Sequence, residues 1–416
     1  MNAREKAVLA ALRRPTQKRF EVDESLDELG RLAESAGAEV VGRMTQDRPA
    51  PTPGLYFGKG KVDELRVWSE RQGANLMISD DALSPIQERN LGGTLGLKVI
   101  DRTALILDIF AQRARTMEGK LQVELAQLSY LLPRLVRQWK HLERLGGGIG
   151  TRGPGETQLE SDRRMIRHRI EKIREELKRV RVHRRLVRDR RSATGYPVVA
   201  LVGYTNAGKT TLLNQLTGAA RVAADQLFVT LDPAARLVSG PSHAPFILTD
   251  TVGFIRKLPH QVVAAFKATL EELTEADVLI HVVDASHPGL DDQVQAVEAL
   301  LGELELMGRP MIIALNKIDR LEPGAARALL SRFDGVALSA RTGEGMEALL
   351  TRIDLALRPR VGRLTLRIPY ADGTALATCY ERGRVLSRQD EAEGIRVEVE
   401  MPRRLTASLA GYRLDA

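Results

Sequence analysis

The sequence predicts an α/β protein. A doubly wound, mostly parallel sheet should carry a phosphate-binding loop at its switch edge, preceded by a small α/β domain with a long helical hairpin and followed by a small α+β domain. Three observations lead there. Gly203-Tyr-Thr-Asn-Ala-Gly-Lys-Thr210 lies between the apolar run Pro197–Val202 and the helical run Thr211–Leu216; a glycine loop between a strand and a helix N-terminus aims unpaired amides and a helix dipole at an anion. Apolar residues recur in steps of four and three on both sides of a glycine-rich stretch, the mark of two helical seams. Strand and helix patterns also alternate before the hairpin and again after residue 196, as helical crossovers between parallel strands require.

A chain of 416 residues is too long for one ordinary domain, and boundaries are expected at 1–110, 111–195, 196–358 and 361–416. The 43% hydrophobic content suffices for packed cores. No run approaches the roughly 18 apolar residues of a membrane span, and Met1–Lys6 lacks the apolar start of a signal peptide. A cytoplasmic monomer without membrane insertion is expected. Cys379 is the single cysteine, which excludes an intrachain disulfide and a thiolate-cluster metal site. The net charge of +8 and pI near 9.6 favour a polyanionic partner, nucleic acid before acidic membrane.

After a polar start, Leu26, Leu29 and Leu32 set a helix over Glu24–Ser35, and Glu39–Met44 reads as a strand. Three prolines in Arg48–Gly54 impose a loop. A helix over Val62–Gln72, a strand over Asn75–Asp80, a helix near Pro85–Leu91 and a strand over Leu97–Ile100 follow. At the start of the second helix, Gly58-Lys-Gly-Lys61 lacks full phosphate-loop spacing; Lys59 and Lys61 there serve either an RNA phosphate or an ordinary basic helix start.

Leu121, Leu125, Leu128, Leu132, Leu135, Trp139 and Leu142 form the first seam; Leu159, Ile166, Ile170, Ile173, Leu177 and Val180 form the second. An antiparallel hairpin is expected, with arms of about 22 residues extending roughly 33 Å. Pro133 should bend the first arm, and Gly146–Gly155 should form a flexible tip. A parallel dimer would leave that tip unexplained. Between Arg163 and Arg191 the second arm carries fourteen Lys and Arg, against six acids counted from Glu160. Such an excess suits phosphates better than a balanced solvated face does. Few aromatics interleave, so backbone contact with folded RNA is expected rather than base stacking, with Arg152, Arg163, Arg164 and Arg167 as candidate contacts.

In the central loop Gly203, Tyr204, Thr205, Asn206, Ala207 and Gly208 supply the cradle. Lys209 should reach the β/γ-phosphates, Thr210 should ligate Mg²⁺, and Thr211 opens the helix. The strand Pro245–Asp250 ends in Asp250, Thr251, Val252 and Gly253; Asp250 can hold a Mg²⁺-bound water and the Gly253 amide a γ-phosphate. A further strand ends in Asn316, Lys317 and Asp319. The Asp319 carboxylate can accept the N1 and N2 donors of guanine, which adenine does not combine. Asn316 can brace the phosphate loop, and the Lys317 stem can cover the base. The strand predicted over Val336–Arg341 brings Ser339, Ala340 and Arg341 to the same edge, with the Ala340 amide aimed at guanine O6. The first switch should lie between Ala219 and Leu237; within Phe228, Val229 and Thr230, Thr230 is the second Mg²⁺ ligand. After Gly253, Phe254 offers no group that orients a water, so unaided hydrolysis should be slow. Asn206 either ligates K⁺, as in potassium-activated GTPases, or braces the loop.

Beyond residue 360, Arg363–Ile368 and Gly394–Met401 alternate as strands, with Leu376–Tyr380 helical between them. Tyr56-Phe-Gly-Lys-Gly-Lys61, Gly147–Gln158 and Gly203–Thr210 together closely resemble the HflX family of ribosome-associated GTPases. The resemblance implies a Mg²⁺-dependent enzyme that binds GTP and GDP and associates with the large ribosomal subunit and its RNA. It further implies stimulation by ribosomes and separation of stalled 70S particles. A tRNA-modification or ribosome-assembly GTPase, and a nucleotide-gated adaptor, are the alternatives that the residues alone leave open.

Overall fold

The computed structural model describes residues 4–135, 154–194, 196–218, 234–240, 243–251, 253–255, 257, 271–403 and 405–414, with backbone alone at 154–159, 181, 183–194, 234, 239–240, 243–244 and 271–272. The described chain divides into two compact units, one ending at Val180 and the other beginning at Arg181.

In the first unit, β1 (Lys6–Arg13), α1 (Arg19–Ser35), β2 (Glu39–Asp47), α2 (Lys59–Gln72), β3 (Leu76–Ser79), α3 (Pro85–Leu95), β4 (Lys98–Asp101) and α4 (Arg102–Arg113) alternate, the elements from α1 to β4 where the sequence places them and β1 and α4 in addition. The sheet is parallel, in the order β2-β1-β3-β4. Residues expected to be a polar start therefore form an interior strand. Ala7–Leu12 is buried throughout, but its three alanines carry little strand propensity and hide the pattern. Local signals set the helix ends. Ser84 and Gln87 close a capping box ahead of Pro85, and Gly73 and Gly96 end their helices in the left-handed conformation.

The helical arms follow. The first, α5 (Met117–Leu131), stops short of Pro133, which sits in a turn closed by the Arg134 amide on the Leu131 carbonyl. Among the described residues Pro133 thus ends the helix instead of bending it: Leu132 is still helical, but Pro133 has no amide hydrogen with which to continue the ladder. The second, α6 (Pro154–Thr194), runs for 41 residues, nearly twice the expected arm. It absorbs Pro154 and Gly155 from the predicted tip; proline at a first helical position loses no hydrogen bond. Leu121, Ile173 and Leu177 bury against one another with Leu125 and Leu128 beside them, and Arg169 forms a two-bond pair with Glu124 at 2.7 and 2.8 Å. Trp139, Leu142 and tip residues 146–153 lie outside the described residues.

The second unit contains β5 (Val198–Gly203), α7 (Lys209–Thr217), β6 (Ala234–Gly240), β7 (His243–Asp250), β8 (Val278–Asp284), α8 (Leu290–Glu303), β9 (Met311–Asn316), α9 (Ala325–Leu330), β10 (Gly335–Ala337) and α10 (Met346–Leu357). Strand order is β10-β9-β8-β5-β7-β6, parallel except for the β6–β7 pair. Val199, Leu201, Leu248, Ile280, Val282 and Ala314 build the core on one face. The strand expected over Val336–Arg341 ends at Ala337, leaving Ser339–Arg341 in a loop at the sheet's carboxyl edge. Then β11 (Val361–Ile368), α11 (Gly373–Arg382), β12 (Arg384–Glu391) and β13 (Gly394–Pro402) form an antiparallel β11-β13-β12 sheet around buried Leu366, Cys379, Val397 and Val399. Burial pushes the Cys379 thiol up to about 11.

Candidate functional site

The loop after β5 is shaped by two backbone constraints and one buried side chain. Gly208 has φ +98°, and a methyl there would lie 2.2 Å from Asn316 Nδ2, so no larger residue fits. Asn206 also adopts a left-handed conformation, φ +61°, which asparagine tolerates better than most residues. Lys209 opens α7. Its ammonium donates to the carbonyls of Gly203 (2.9 Å) and Tyr204 (2.7 Å). Burial pushes it down to about 8, against the upward pull of Asp250.

Asp250, at the end of β7, is fully buried, and Thr210 Oγ1 donates to its Oδ2 at 3.0 Å. A hydroxyl and a carboxylate so placed are the hard oxygen donors that Mg²⁺ takes; the donor chemistry fits the ion. Gly253 approaches closely. A methyl on it would fall 2.9 Å from Thr205 Cγ2 and 3.1 Å from Lys209 Nζ. Next to it, Phe254 is tied to the loop through its backbone: the Thr205 amide donates to its carbonyl (2.7 Å), and its own amide donates to the Gly203 carbonyl (3.1 Å). The Phe254 ring is buried and offers the site no polar atom. Thr251, also buried, donates to the Leu201 carbonyl at 2.6 Å.

Three loops meet at Asn316, which ends β9. Its Nδ2 donates to the Ala207 carbonyl (2.8 Å), and its Oδ1 accepts the Ala340 amide (2.9 Å). The amide expected to face guanine O6 is thus held by Asn316 in this structure. Asp319 accepts the Ser339 hydroxyl at 2.6 Å and pairs with Arg341 at 2.5 Å. The Ser339 bond, with Arg341 adding to it, holds its carboxyl below the usual range. That keeps the group an acceptor, as donors on a base edge need. Lys317, at φ +68°, reaches Asp284 Oδ2 at 2.7 Å. Burial opposes ionisation of Asp284, but the bonds from Lys317 and Ser286 outweigh it and hold its carboxyl low.

The β5–α7 loop, Thr210, Thr211, Asp250, Thr251, Gly253, Asn316, Lys317, Asp319, Ser339, Ala340 and Arg341 all belong to the carboxyl edge of one sheet, as open α/β sites do. Phe228, Val229, Thr230, Val252 and Arg152 lie outside the described residues. Asp284 and His281 were not anticipated. Asp284 could have been read from its place at the end of β8, whereas His281 sits inside an apolar run. Buried His281 is held neutral, pushed down to about 4 by burial and then by Lys209. Of the basic candidates, Lys59, Arg164 and Arg167 are exposed and Arg163 is half-buried. Lys61 is paired with Glu64 at 2.9 Å, and Arg169 is committed to Glu124.

Two outcomes follow from the geometry. Phosphate charge raises the Lys209 pKa on binding, so binding takes up a proton above the starting value near 8. Guanine-nucleotide affinity should be flat below pH 8 and fall by up to about tenfold per unit above it, as titration calorimetry in buffers of different ionisation enthalpy would register. Asp319→Asn should weaken GTP roughly 100-fold, equivalent to about 3 kcal/mol, and improve xanthosine triphosphate binding. Unchanged GTP affinity would overturn the base assignment.

Four family models match in succession: "GTP-binding GTPase N-terminal" over residues 23–111, "GTP-binding GTPase Middle Region" over 113–191, "50S ribosome-binding GTPase" over 198–317 and "HflX C-terminal domain" over 326–412. GTPase HflX of Caldanaerobacter subterraneus subsp. tengcongensis is 48% identical over 400 residues, 96% of this chain and 91% of that one. GTPase HflX of Escherichia coli (strain K12) is 47% identical over 383 residues, 91% of this chain and 90% of that one. Among solved structures, a GTP-binding protein from the archaeon Sulfolobus solfataricus in complex with GDP is 27% identical, covering 85% of this chain and 98% of its own at a TM-score of 0.44. With four family models in succession and this identity over nearly the whole length, the chain belongs to the HflX family of GTPases and is a P-loop enzyme that hydrolyses GTP.

Proposed function

We propose that the protein associates in its GTP-bound form with the large ribosomal subunit, and that this binding separates stalled 70S ribosomes in the cytoplasm. The observation that carries the reading is the match of residues 198–317 to a family described as 50S ribosome-binding GTPases. The cationic surface of α6 supports it: Arg164, Arg167, Lys172, Arg174 and Arg179 are exposed, as contact with RNA phosphates needs. A tRNA-modifying role that relies on a reactive thiol finds no support in Cys379, which is buried and held protonated.

In this reading Lys209 neutralises the β/γ-phosphates and the Gly253 amide meets the γ-phosphate. Thr210 and Asp250 would hold Mg²⁺, the latter through a water, with Thr230 as the second protein ligand. When bound, Mg²⁺ supplies positive charge against the developing negative charge on the phosphates. No side chain at Phe254 orients the attacking water, so hydrolysis by the free protein is slow and the ribosome completes the site. Asn206 contributes a K⁺ ligand. Loss of the γ-phosphate then frees the Thr230 and Gly253 segments and weakens the RNA contact.

Co-sedimentation with 50S particles should occur with a GTP analogue and fall with GDP or without nucleotide; indifference to nucleotide would leave only an adaptor. The bound fraction should drop steeply between about 50 and 200 mM salt. Deleting residues 146–155 should remove ribosome-stimulated turnover while leaving the basal rate. Basal turnover should also be higher in K⁺ than in Na⁺ at equal ionic strength, by roughly tenfold if Asn206 ligates the ion in the transition state; equal rates would assign Asn206 to bracing the loop.

A further inference from the structure

Arg134 follows the proline that ends α5, and no sequence motif marks it. Its guanidinium nonetheless makes four hydrogen bonds within the first unit. Nε donates to Glu88 Oε2 on α3 (2.9 Å), and Nη1 to the Tyr130 carbonyl on α5 (3.1 Å). Nη2 donates to the Leu83 carbonyl ahead of α3 (2.9 Å) and to Asp101 Oδ2 at the end of β4 (3.2 Å). Its Cζ also lies 3.4 Å from the centre of the Tyr130 ring. The side chain is 12% exposed, and its partner Asp101 is fully buried.

Asp101 is itself a junction. It caps α4 through the Ala104 amide (2.9 Å), accepts the Leu83 amide (3.0 Å) and accepts the Tyr130 hydroxyl (2.9 Å). One arginine and one aspartate therefore bind the end of β4, the starts of α3 and α4 and the last turn of α5. A planar fork with several fixed partners holds a backbone in one orientation, which a lysine point charge does not. Removing it leaves a buried carboxylate uncompensated. This is more machinery than the end of one helix requires, and in sequence it stands just ahead of the glycine-rich segment.

We propose that Arg134 is a positioning residue. It locks the end of α5 onto β4 and α3, and through α5 and the α6 packed on it sets the response of the enzyme to the large ribosomal subunit. The proposal rests on the ribosomal reading above. It assigns Arg134 no part in binding nucleotide or RNA. α5 also carries α6 against it through Leu121, Ile173 and Leu177 and through the Glu124–Arg169 pair, so a misdirected α5 displaces the cationic helix as well.

The test compares full-length wild type, Arg134→Lys, Arg134→Met and the milder Glu88→Gln, titrating 50S particles into a GTP-turnover assay. Both Arg134 variants should show unchanged basal turnover and GTP affinity, with the 50S concentration for half-maximal stimulation raised roughly tenfold or more and the maximal rate retained at saturation. Glu88→Gln, which keeps an acceptor oxygen for Nε but removes its charge, should show a smaller shift in the same direction and serves if the Arg134 variants do not fold. Equal half-stimulating concentrations for wild type and folded variants would overturn the proposal, as would a parallel fall in basal and stimulated rates, the signature of a merely structural residue. If wild type itself shows no stimulation, the ribosomal reading fails and this proposal falls with it.

Discussion

The nucleotide edge depends on the carboxamide of Asn316. Its two ends satisfy a carbonyl in the phosphate loop and an amide in the loop after β10, so loops separated by more than a hundred residues are held at a fixed spacing by one side chain. Asn316 is buried, and a buried amide that loses one partner incurs the full desolvation cost of the orphaned group. The loops can separate only by leaving such groups unmade. This makes the site rigid before any ligand arrives, the condition under which dipoles act on phosphate charge without reorganising.

The same residue explains Gly208. A Cβ at that position would collide with Asn316 Nδ2, so the glycine of one motif and the asparagine of another are a matched pair. Lys317 extends the logic, since its turn away from the sheet is anchored on Asp284 at the end of the neighbouring strand. Phosphate grip and base recognition are then not independent modules. A change that loosens Asn316 reaches both.

Much of this was legible in the sequence because parallel strands buried on both faces read as continuous apolar runs, and the site residues follow those runs directly. The elements that escaped have physical reasons for doing so. β1 is rich in alanine, a small residue that fills a sheet interior as readily as a helix. β12 is an edge strand with half of its residues exposed and none fully buried, so it lacks an apolar signature, as edges that resist further pairing do. Asp284 and Arg134 act through partners distant in sequence, and spacing carries no trace of such pairs. Pro133 was visible, but whether a proline bends or ends a helix depends on what receives the chain afterwards.

What receives it is charged. The carboxyl end of the small parallel sheet, where open α/β folds usually admit a ligand, is filled by side chains: Arg102 with Asp80, Glu28 and Ser25, and Arg134 with Asp101, Glu88 and Tyr130. Buried ion pairs stabilise a fold less than well-packed apolar groups of the same size, because each charge must first leave water. They do impose geometry, since every partner must be in place for any to be satisfied. In a domain whose last helix hands the chain on to a long cationic arm, orientation is the property that matters, and an apolar plug that slid by an ångström would not preserve it.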